Sequence, residues 1–372
     1  MTEPDKRSHF PSHAERRVWL ISSGDSPIGL YLARQLLAHG DCVVSGLVPS
    51  DLLRDERRRD YFHDFLAEVE SNHESNNWKD RFRPVMLDIR KTSECQAAVA
   101  EAIEAFGRLD ILLCCTSQAI VGTVEELAAS ERALGLVRDQ FETNYFGPVN
   151  LIKSALPAMR KHGAGHILVL SGITAHIGTP GLGVYCASEW ALEGFCDSIA
   201  YEIAPSNIKV TILQCSMEIR ILTNLISSVP PILPTYSSSQ NNAPLFRNIL
   251  DGLISRLPQS DIAAASPVAH HESSTMASEA DHQGPFSAPE VVSMYPPLSA
   301  AHLEALTLET VHTITAVGGH ENPPSRHIIG AEGVAAVKEK LKTVSEELED
   351  FVQSSYSVNI AGSNEELHEE GI

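Results

Sequence analysis

The feature that most constrains the fold of this chain is an alternation of short apolar runs with longer amphipathic stretches, from residue 18 to about residue 227. The runs have the length and composition of buried strands, and the stretches between them have apolar residues at helical spacing. Strands that alternate with helices favour a parallel sheet, because each helix carries the chain back to the edge where the next strand begins. The sequence therefore predicts an α/β fold, with a doubly wound parallel sheet flanked by helices. The predicted strands are 18–21, 42–44, 85–87, 111–113, 167–170 and 210–213.

Composition divides the rest of the chain. A polar and charged start is expected to be disordered, and a stretch rich in proline and serine is expected to be a flexible insertion with a short helix near 245–257. Helical periodicity returns at 300–317 and 330–352, and the end of the chain is acidic. We predict one domain with these parts: a disordered segment 1–17, a core 18–227, an insertion 228–299, a C-terminal helical part 300–360 and an acidic tail 361–372.

The charge balance and the cysteine pattern argue against several classes of partner. Lysine and arginine number 28 against 48 aspartates and glutamates, so the net charge is −20 and a phosphate backbone would repel the chain. No stretch is apolar for long enough to span a bilayer, and residues 1–17 lack the apolar centre of a secretory signal. The 7 cysteines show no C-x-x-C spacing, and the doubled histidine His270-His271 has no further ligands at usable spacing. We expect a soluble, cytoplasmic protein that binds no nucleic acid, membrane or metal.

A turn rich in serine and glycine follows the first predicted strand. Its residues are Ser22-Ser23-Gly24-Asp25-Ser26-Pro27-Ile28-Gly29. Because the turn opens a predicted helix, free backbone amides and the positive end of the helix dipole would face a bound phosphate. A purely structural interpretation is also open. Ser26 is a natural N-cap and Pro27 a natural first helical residue, so the turn forms whether or not an anion binds.

This turn and the later segment Tyr185-Cys186-Ala187-Ser188-Glu189 resemble the short-chain dehydrogenase/reductase family, in which the turn reads T-G-x-x-x-G-x-G and a helix carries Y-x-x-x-K. The resemblance implies a Rossmann-like fold that binds NADP or NAD. The second strand ends without the acidic residue or the arginine that would decide between the two cofactors. The cofactor-binding residues that the resemblance implies are Ser22, Gly24, Ser26, Ile28 and Gly29 in the turn, Asp88 at the adenine, and Cys115 in the segment that replaces N-N-A-G.

The same resemblance assigns the catalytic positions, and two of them are altered. Tyr185 would exchange a proton with the substrate oxygen, and Asn144 would organise a proton-relay water. The lysine that normally favours the phenolate is replaced by Glu189, whose carboxylate acts in the opposite sense unless burial protonates it or it rotates outward and water takes its place. The serine expected thirteen residues before the tyrosine, at 185 − 13 = 172, is Gly172. Ser171 could substitute only if the strand bulges, because neighbouring side chains on a strand point to opposite faces.

Two functions remain open from the sequence. One is an NAD(P)-dependent oxidoreductase with an altered active site and weak activity, acting on a carbonyl or alcohol group of a hydrophobic small molecule. The other is a catalytically inactive pseudoenzyme that keeps the fold for binding or regulation. In both cases the helix that continues through residues 191–205 resembles the one that pairs subunits in this family, so a homodimer is expected.

Overall fold

The computed structural model describes residues 15–72, 77–216, 225–229, 246–256, 288–295, 297 and 299–355. The expectations for residues 1–14, for His270-His271 and for the acidic tail 361–372 lie outside these ranges. Most of the predicted insertion lies outside them as well.

The strands of the described residues form two sheets. They are β1 (Val18–Ile21), β2 (Cys42–Leu47), β3 (Phe82–Met86), β4 (Ile111–Cys114), β5 (Gln118–Val121), β6 (Gly165–Gly172), β7 (Ile208–Cys215), β8 (Leu225–Ser228) and β9 (Arg326–Ile328). The larger sheet has 7 parallel strands in the order β3-β2-β1-β4-β6-β7-β9, and β5 pairs in parallel with β8 in a sheet of its own. Because the order runs outward from β1 in both directions, the predicted doubly wound parallel sheet is confirmed.

Helices connect these strands. They are α1 (Pro27–His39), α2 (Pro49–Arg54), α3 (Glu56–Ser71), α4 (Trp78–Arg81), α5 (Thr92–Phe106), α6 (Val124–Ala128), α7 (Glu131–Phe141), α8 (Gly147–His162), α9 (Gly183–Ile203), α10 (Phe246–Ser255), α11 (Ala288–Ser293), α12 (Ala300–Val317) and α13 (Ala331–Ser355). One π-helical turn, Glu142–Phe146, joins α7 to α8. Among the described residues, no helix has both the length and the apolar character needed to cross a bilayer.

The larger sheet is buried on both faces, which is why its strands are almost continuously apolar. Trp19 and Ile21 of β1 point to one face and pack in a cluster with α1, α3 and α12. Val18 and Leu20 point to the other face and pack with α5, α8 and α9. A helical layer therefore covers each face, as an α/β fold requires.

The strand predictions are confirmed in the core and incomplete outside it. Each predicted strand is present, although β3 ends at Met86, so that Leu87 lies beyond it. The sequence analysis missed β5, β8 and β9, which are only three or four residues long. The helices predicted at 245–257, 300–317 and 330–352 are present as α10, α12 and α13.

A buried carboxylate ties the start of β1 to the later part of the chain. Asp41 is 0% exposed in its side chain and accepts hydrogen bonds from Arg17 Nη2 at 3.0 Å and from Trp19 Nε1 at 3.0 Å. Arg17 also donates through Nη1 to the Gly318 carbonyl, just after α12, at 2.7 Å. Since α12 packs on the same face of the sheet as α1, this network fixes the end of α12 to the core.

Candidate active site

The turn between β1 and α1 forms as both interpretations of its sequence require. Ser26 Oγ accepts from the Gly29 amide at 3.1 Å and donates to the Ser23 carbonyl at 2.7 Å, while Pro27 occupies the first turn of α1. The prediction that Ser26 is the N-cap is therefore confirmed. Pro27 has no amide and the Gly29 amide already donates to Ser26 Oγ, so Ile28 is the residue of this first turn whose amide could serve an anion.

Two glycines of this turn are required by close contacts. A Cβ atom at Gly29 would lie 2.3 Å from the Ser23 carbonyl oxygen, and one at Gly24 would lie 1.8 Å from Ser45 Oγ of β2. Neither position tolerates a side chain, because the Ser23 carbonyl lies against Gly29 and Ser45 of β2 lies against Gly24. At Gly24 the neighbouring atoms are those of Ser45 in β2, so this glycine packs the turn against the sheet and does not replace the glycine lost at Pro27.

The turn is joined to the segment that follows β4. Ser22 Oγ accepts from the amides of Cys115 and Thr116 at 2.9 and 3.0 Å, and from Thr116 Oγ1 at 2.8 Å. The structure therefore brings together Ser22 and Cys115, two of the predicted cofactor-binding residues. Both are buried, and their contact holds the carboxyl ends of β1 and β4 together at the same edge of the sheet.

Arg58 of α3 places a cation beside the turn, and the sequence analysis did not find it. Arg58 Nε lies 2.5 Å from Asp25 Oδ2, and Arg58 Nη2 donates to Ser23 Oγ at 2.8 Å. Burial disfavours the charged guanidinium, but the charge and hydrogen bond of Asp25, together with the charges of Asp51 and Asp55, raise the pKa of Arg58. The guanidinium is therefore held charged at the point where a phosphate would approach. The sequence showed only a run of arginines on a charged helix, which is typical of a solvated face.

Asp88, predicted to meet the adenine, lies just past β3 at the same edge of the sheet. Its carboxylate accepts from the backbone amide, Nε and Nη2 of Arg90 at 3.1, 2.8 and 2.9 Å. Burial alone would raise the pKa of Asp88, but the hydrogen bonds and charge of Arg90 lower it, so the group stays ionised. Asp88 is thus positioned by Arg90, and three of its acceptor sites are already used.

Tyr185 and Glu189 lie one turn apart on α9, and both are 0% exposed. Tyr185 belongs to an apolar cluster to which β5, α9 and α10 contribute. The cluster contains Ala119, Val121, Leu182, Cys186 and Leu250. A residue of α10, from within the stretch predicted to be an insertion, therefore helps to cover the tyrosine that the sequence identified as catalytic.

Asn144 lies in the π-helical turn, at one end of β5. Its Oδ1 accepts from the Gln118 amide at 2.9 Å, and its Nδ2 donates to the Gln118 carbonyl at 2.9 Å and to Ser188 Oγ at 3.2 Å. Ser188 in turn donates to the Tyr185 carbonyl at 2.8 Å. Asn144 therefore fixes β5 against the helix that carries Tyr185, and a π-turn at such a position is common in functional sites.

Ser171 does not point towards the position of the missing serine side chain. The register of β6 with β7 is continuous from Gly165 to Gly172, so the strand has no bulge there. Ser171 Oγ instead donates to Glu193 Oε1 at 2.7 Å. The bulge that substitution by Ser171 would need is absent, and Gly172 offers no side chain in its place.

Glu193 is the centre of a buried network that the sequence analysis missed. Its carboxylate accepts from Ser171, from Gln214 Nε2 at 2.8 and 2.9 Å, and from Arg326 Nη2 at 3.1 Å. Gln214 Nε2 also lies 2.8 Å from His176 Nε2. These contacts join β6, β7 and β9 to α9, on the face of the sheet to which Ser171 points. Their role is structural, because they hold the ends of these three strands against the helix.

The residues at the carboxyl edge of the sheet fit a dinucleotide. Three buried hydroxyl groups just past the ends of strands of the larger sheet have no hydrogen-bond partner in the described part of the chain, and such groups call for a polar ligand or water. They belong to Ser117, Thr174 and Ser216. The helix N-terminus and the cation beside it suit a phosphate at one end of this edge. The described residues contain no group of histidine, cysteine, aspartate or glutamate side chains arranged to hold a metal ion.

Comparison with known proteins agrees with this arrangement. The family described as short chain dehydrogenase matches residues 17–223. Oxidoreductase BOA17 of Botryotinia fuckeliana is 29% identical over 198 residues, which cover 53% of this chain and 64% of that protein. Human retinol dehydrogenase 8 is 30% identical over 203 residues, covering 54% of this chain and 58% of that protein. Human 17-beta-hydroxysteroid dehydrogenase type 1 is 34% identical over 131 residues, covering 35% of this chain and 38% of that protein.

The chain thus matches only part of the length of each of these relatives. A solved structure, a short-chain dehydrogenase from Streptomyces avermitilis, superposes with a TM-score of 0.63 and 21% identity, covering 93% of this chain and 100% of that one. At that level of identity the superposition supports the fold.

Proposed function

This chain belongs to the short-chain dehydrogenase family, and from that premise we propose that it is an NAD(P)-dependent oxidoreductase acting slowly on a carbonyl or alcohol group of a hydrophobic small molecule. The observation that carries the proposal is the position of Tyr185. A phenol that is 0% exposed lies in an apolar cluster beside the carboxyl edge of the parallel sheet. In doubly wound sheets, ligands bind at this edge.

The residues of the turn would hold the cofactor's phosphates. Gly24 and Gly29 let the turn pack tightly against β2 and against itself, Ser26 shapes the N-terminus of α1, and Arg58 supplies the positive charge. When bound, a nicotinamide cofactor supplies hydride transfer to or from carbon. Both NADP and NAD are compatible with these residues.

Tyr185 would handle the proton of the reaction. In carbonyl reduction, its hydroxyl gives a proton to the substrate oxygen as that oxygen becomes an alcohol, and in alcohol oxidation the proton returns. Proton return needs the phenolate, which a neighbouring cation stabilises and a neighbouring carboxylate does not. With Glu189 one turn away and no hydroxyl side chain at Gly172, turnover is expected to be slow.

The residues packed around Tyr185 suggest the substrate class. Ala119, Val121, Leu182 and Leu250 are buried and carry no charge, so a substrate that reached the phenol would have to be hydrophobic. The names of two relatives refer to a hydroxysteroid and to retinol. Both names agree with that class without fixing the substrate of this chain.

A second function, that of a binding or regulatory protein without catalysis, is favoured by two charges. Glu189 takes the position of a lysine in the buried interior, and Asp25 already pairs with the cation that a phosphate would need. Both features lower the affinity for an anionic cofactor. In such a protein the fold would be kept for recognition of a partner.

A homodimer through α9 accompanies either function. Trp190 and Tyr201 on this helix are 55% and 85% exposed, and large exposed aromatic side chains of this kind are enriched in interfaces. A cytoplasmic location remains a prediction from the sequence.

Titration of the purified protein with NADPH, NADP, NADH and NAD by calorimetry tests the oxidoreductase proposal. We expect binding of at least one of them, weakened at least about tenfold by Arg58→Met, because a charge-assisted bond to phosphate is lost. Arg34→Met is the matched control, since Arg34 lies in the second half of α1, away from the turn, and pairs with Glu68 of α3. Asp25→Asn, which releases the guanidinium, should tighten binding. Absence of binding to all four cofactors, by the wild type and by Asp25→Asn, would leave the binding protein as the function.

A further inference from the structure

The β6–α9 loop, residues 173–182, carries the chain from the end of the sheet to the helix of Tyr185. At the far end of the loop, Leu182 belongs to the apolar cluster of Tyr185, and the Gly181 carbonyl accepts from an amide just after β5 at 2.9 Å. In the middle of the loop, the half-buried side chain of His176 reaches back to the sheet. The loop is therefore held at its centre by His176 and at its end beside the phenol.

The contact at the centre of the loop joins His176 to Gln214 of β7. Gln214 Nε2 lies 2.8 Å from His176 Nε2, and 2.8 and 2.9 Å from the two carboxylate oxygens of Glu193. An amide nitrogen carries two hydrogens, so one can be given to the carboxylate and the other to the imidazole. The His176 ring also packs edge-on against Trp190, with ring centroids 6.2 Å apart. His176 is thus held from β7 and from α9.

The carboxylate of Glu193 fixes which end of the Gln214 amide faces the histidine. If the amide oxygen and nitrogen were exchanged, the oxygen would lie 2.8 and 2.9 Å from two carboxylate oxygens that repel it. The nitrogen would then take the place of Gln214 Oε1, which has no hydrogen-bond partner in the described part of the chain. Arg326 Nη2 pairs with Glu193 Oε2 at 3.1 Å and keeps the carboxylate in place. Gln214 therefore presents an N–H to His176.

A donor that faces Nε2 requires this nitrogen of His176 to carry no proton. The neutral ring with its proton on Nδ1 meets this requirement, whereas the imidazolium has a proton on both nitrogens and does not. The charged groups of the surrounding network are Glu193 and Asp197 of α9 and Arg326 of β9, which sum to −2 + 1 = −1. From α13, whose start lies against the loop, comes the exposed Glu332. A protonated His176 would therefore lose Gln214 as a partner and have acidic groups to turn towards.

We propose that His176 is a positioning residue for Tyr185, and that its neutral ring holds the β6–α9 loop closed over the apolar cluster. Protonation of the ring breaks the contact with Gln214 and loosens Leu182 on the phenol. Histidine is the side chain that ordinarily changes charge between about pH 5 and 8, so the loop should loosen as the pH falls across that range. The catalytic part of this inference rests on the proposed function, whereas the contact and its pH dependence do not.

Hydrogen exchange of the full-length protein tests the contact, with rates corrected for the intrinsic effect of pH and with the amides of β6 as the reference. Between about pH 8 and about pH 5, the hydrogen-bonded amides of residues 176–182 should lose protection about tenfold relative to β6, as expected for one buried hydrogen bond. His176→Leu, which has no acceptor, should show the low protection at both pH values. His176→Gln can accept from Gln214 without titrating and should keep the high protection at both. His302→Gln, at an exposed histidine of α12, is the matched control and should behave as the wild type.

Two further measurements separate positioning from a general effect on folding. Nitrogen NMR of the His176 ring should find its proton on Nδ1 at about pH 8. In the turnover assay, kcat of His176→Leu should fall by about tenfold or more with the cofactor Kd unchanged, and His176→Gln should restore it, because small displacements of reacting groups slow a reaction strongly.

The outcomes distinguish this inference from the proposed function. Equal loop protection in the wild type and His176→Leu, or a proton on Nε2 at about pH 8, would overturn the contact. An unchanged kcat in His176→Leu would overturn the positioning role. Absence of any turnover by the wild type would refute the proposed function, and the exchange and NMR results would still decide the contact.

Discussion

Replacement of Glu189 by lysine is the most direct test of the proposal that this residue slows turnover at Tyr185. Residues 185 and 189 are separated by one turn of α9, so their Cβ atoms lie roughly 5–6 Å apart. Both side chains are 0% exposed, and surface screening does not apply to them. At an effective dielectric constant of about 20, a unit charge at that distance changes the energy of a phenolate by about 3 kcal/mol.

Glu189→Lys reverses the sign of this contribution. The phenolate of Tyr185 is then favoured over its state in the wild type by about 6 kcal/mol, twice the single-charge value. General acid–base catalysis typically contributes about 10²–10⁴-fold to a rate. We therefore expect kcat for oxidation of a hydrophobic secondary alcohol at neutral pH to rise by about 10²-fold or more. Glu189→Gln, which removes the charge without adding a cation, should give an intermediate rate.

The assay is steady-state formation of reduced nicotinamide over a panel of hydrophobic alcohols, with cofactor binding measured in parallel. Gly172→Ser can be added to supply the missing hydroxyl, since Gly172 has an extended backbone with φ −119 and ψ 158 that any residue adopts. The gain from Glu189→Lys should vanish when Tyr185→Phe is introduced as well. If the lysine and glutamine variants bind cofactor, keep the fold and give the wild-type rate, the electrostatic reasoning is refuted.

Three further predictions concern the stability and reactivity of the core. Asp41→Ala removes the acceptor for Arg17 and should lower the free energy of unfolding by about 3–5 kcal/mol in urea denaturation, with Asp41→Asn milder, because a buried cation loses its partner. Burial lowers the pKa of His166 from 6.5 to about 3, so the folded state keeps it neutral. As the pH falls below 6.5 the unfolded state alone takes up this proton, and stability should drop by about 1.4 kcal/mol per pH unit, a slope that His166→Gln should remove. Burial raises the pKa of Cys95 to about 12, and mass spectrometry after treatment with a thiol reagent at neutral pH should find it labelled only in the unfolded protein.

The parts of the fold that could be predicted are those in which local pattern and burial coincide. β1 and β4 are buried on both faces, so their sequences are apolar throughout and the runs are visible. β9, with the sequence Arg326–Ile328, is a three-residue edge strand whose apolar content is too small to be recognised. Its place in the sheet depends on pairing with β7, and a sequence pattern carries no information about that contact.

The same distinction separates the site residues. The N-cap of α1 is encoded in neighbouring residues, and the orientation of Ser171 follows from the alternation of side chains along a strand. Arg58 meets Asp25 across 33 positions of the chain (58 − 25 = 33), and its approach depends on how α3 packs against the sheet. Such a contact becomes predictable only once the tertiary arrangement is known.

The pairing of β9 with β7 has a consequence for the folding and engineering of this protein. Gln214 lies opposite Ile328, so this edge closes a loop of 328 − 214 = 114 positions, which includes the whole predicted insertion 228–299 and α12. The entropy cost of closure grows only with the logarithm of loop length, and halving the loop would recover about 0.6 kcal/mol. The length of this excursion therefore has little effect on stability. A shortened chain that keeps α10 above Tyr185 and β9 beside β7 should fold almost as well as the whole.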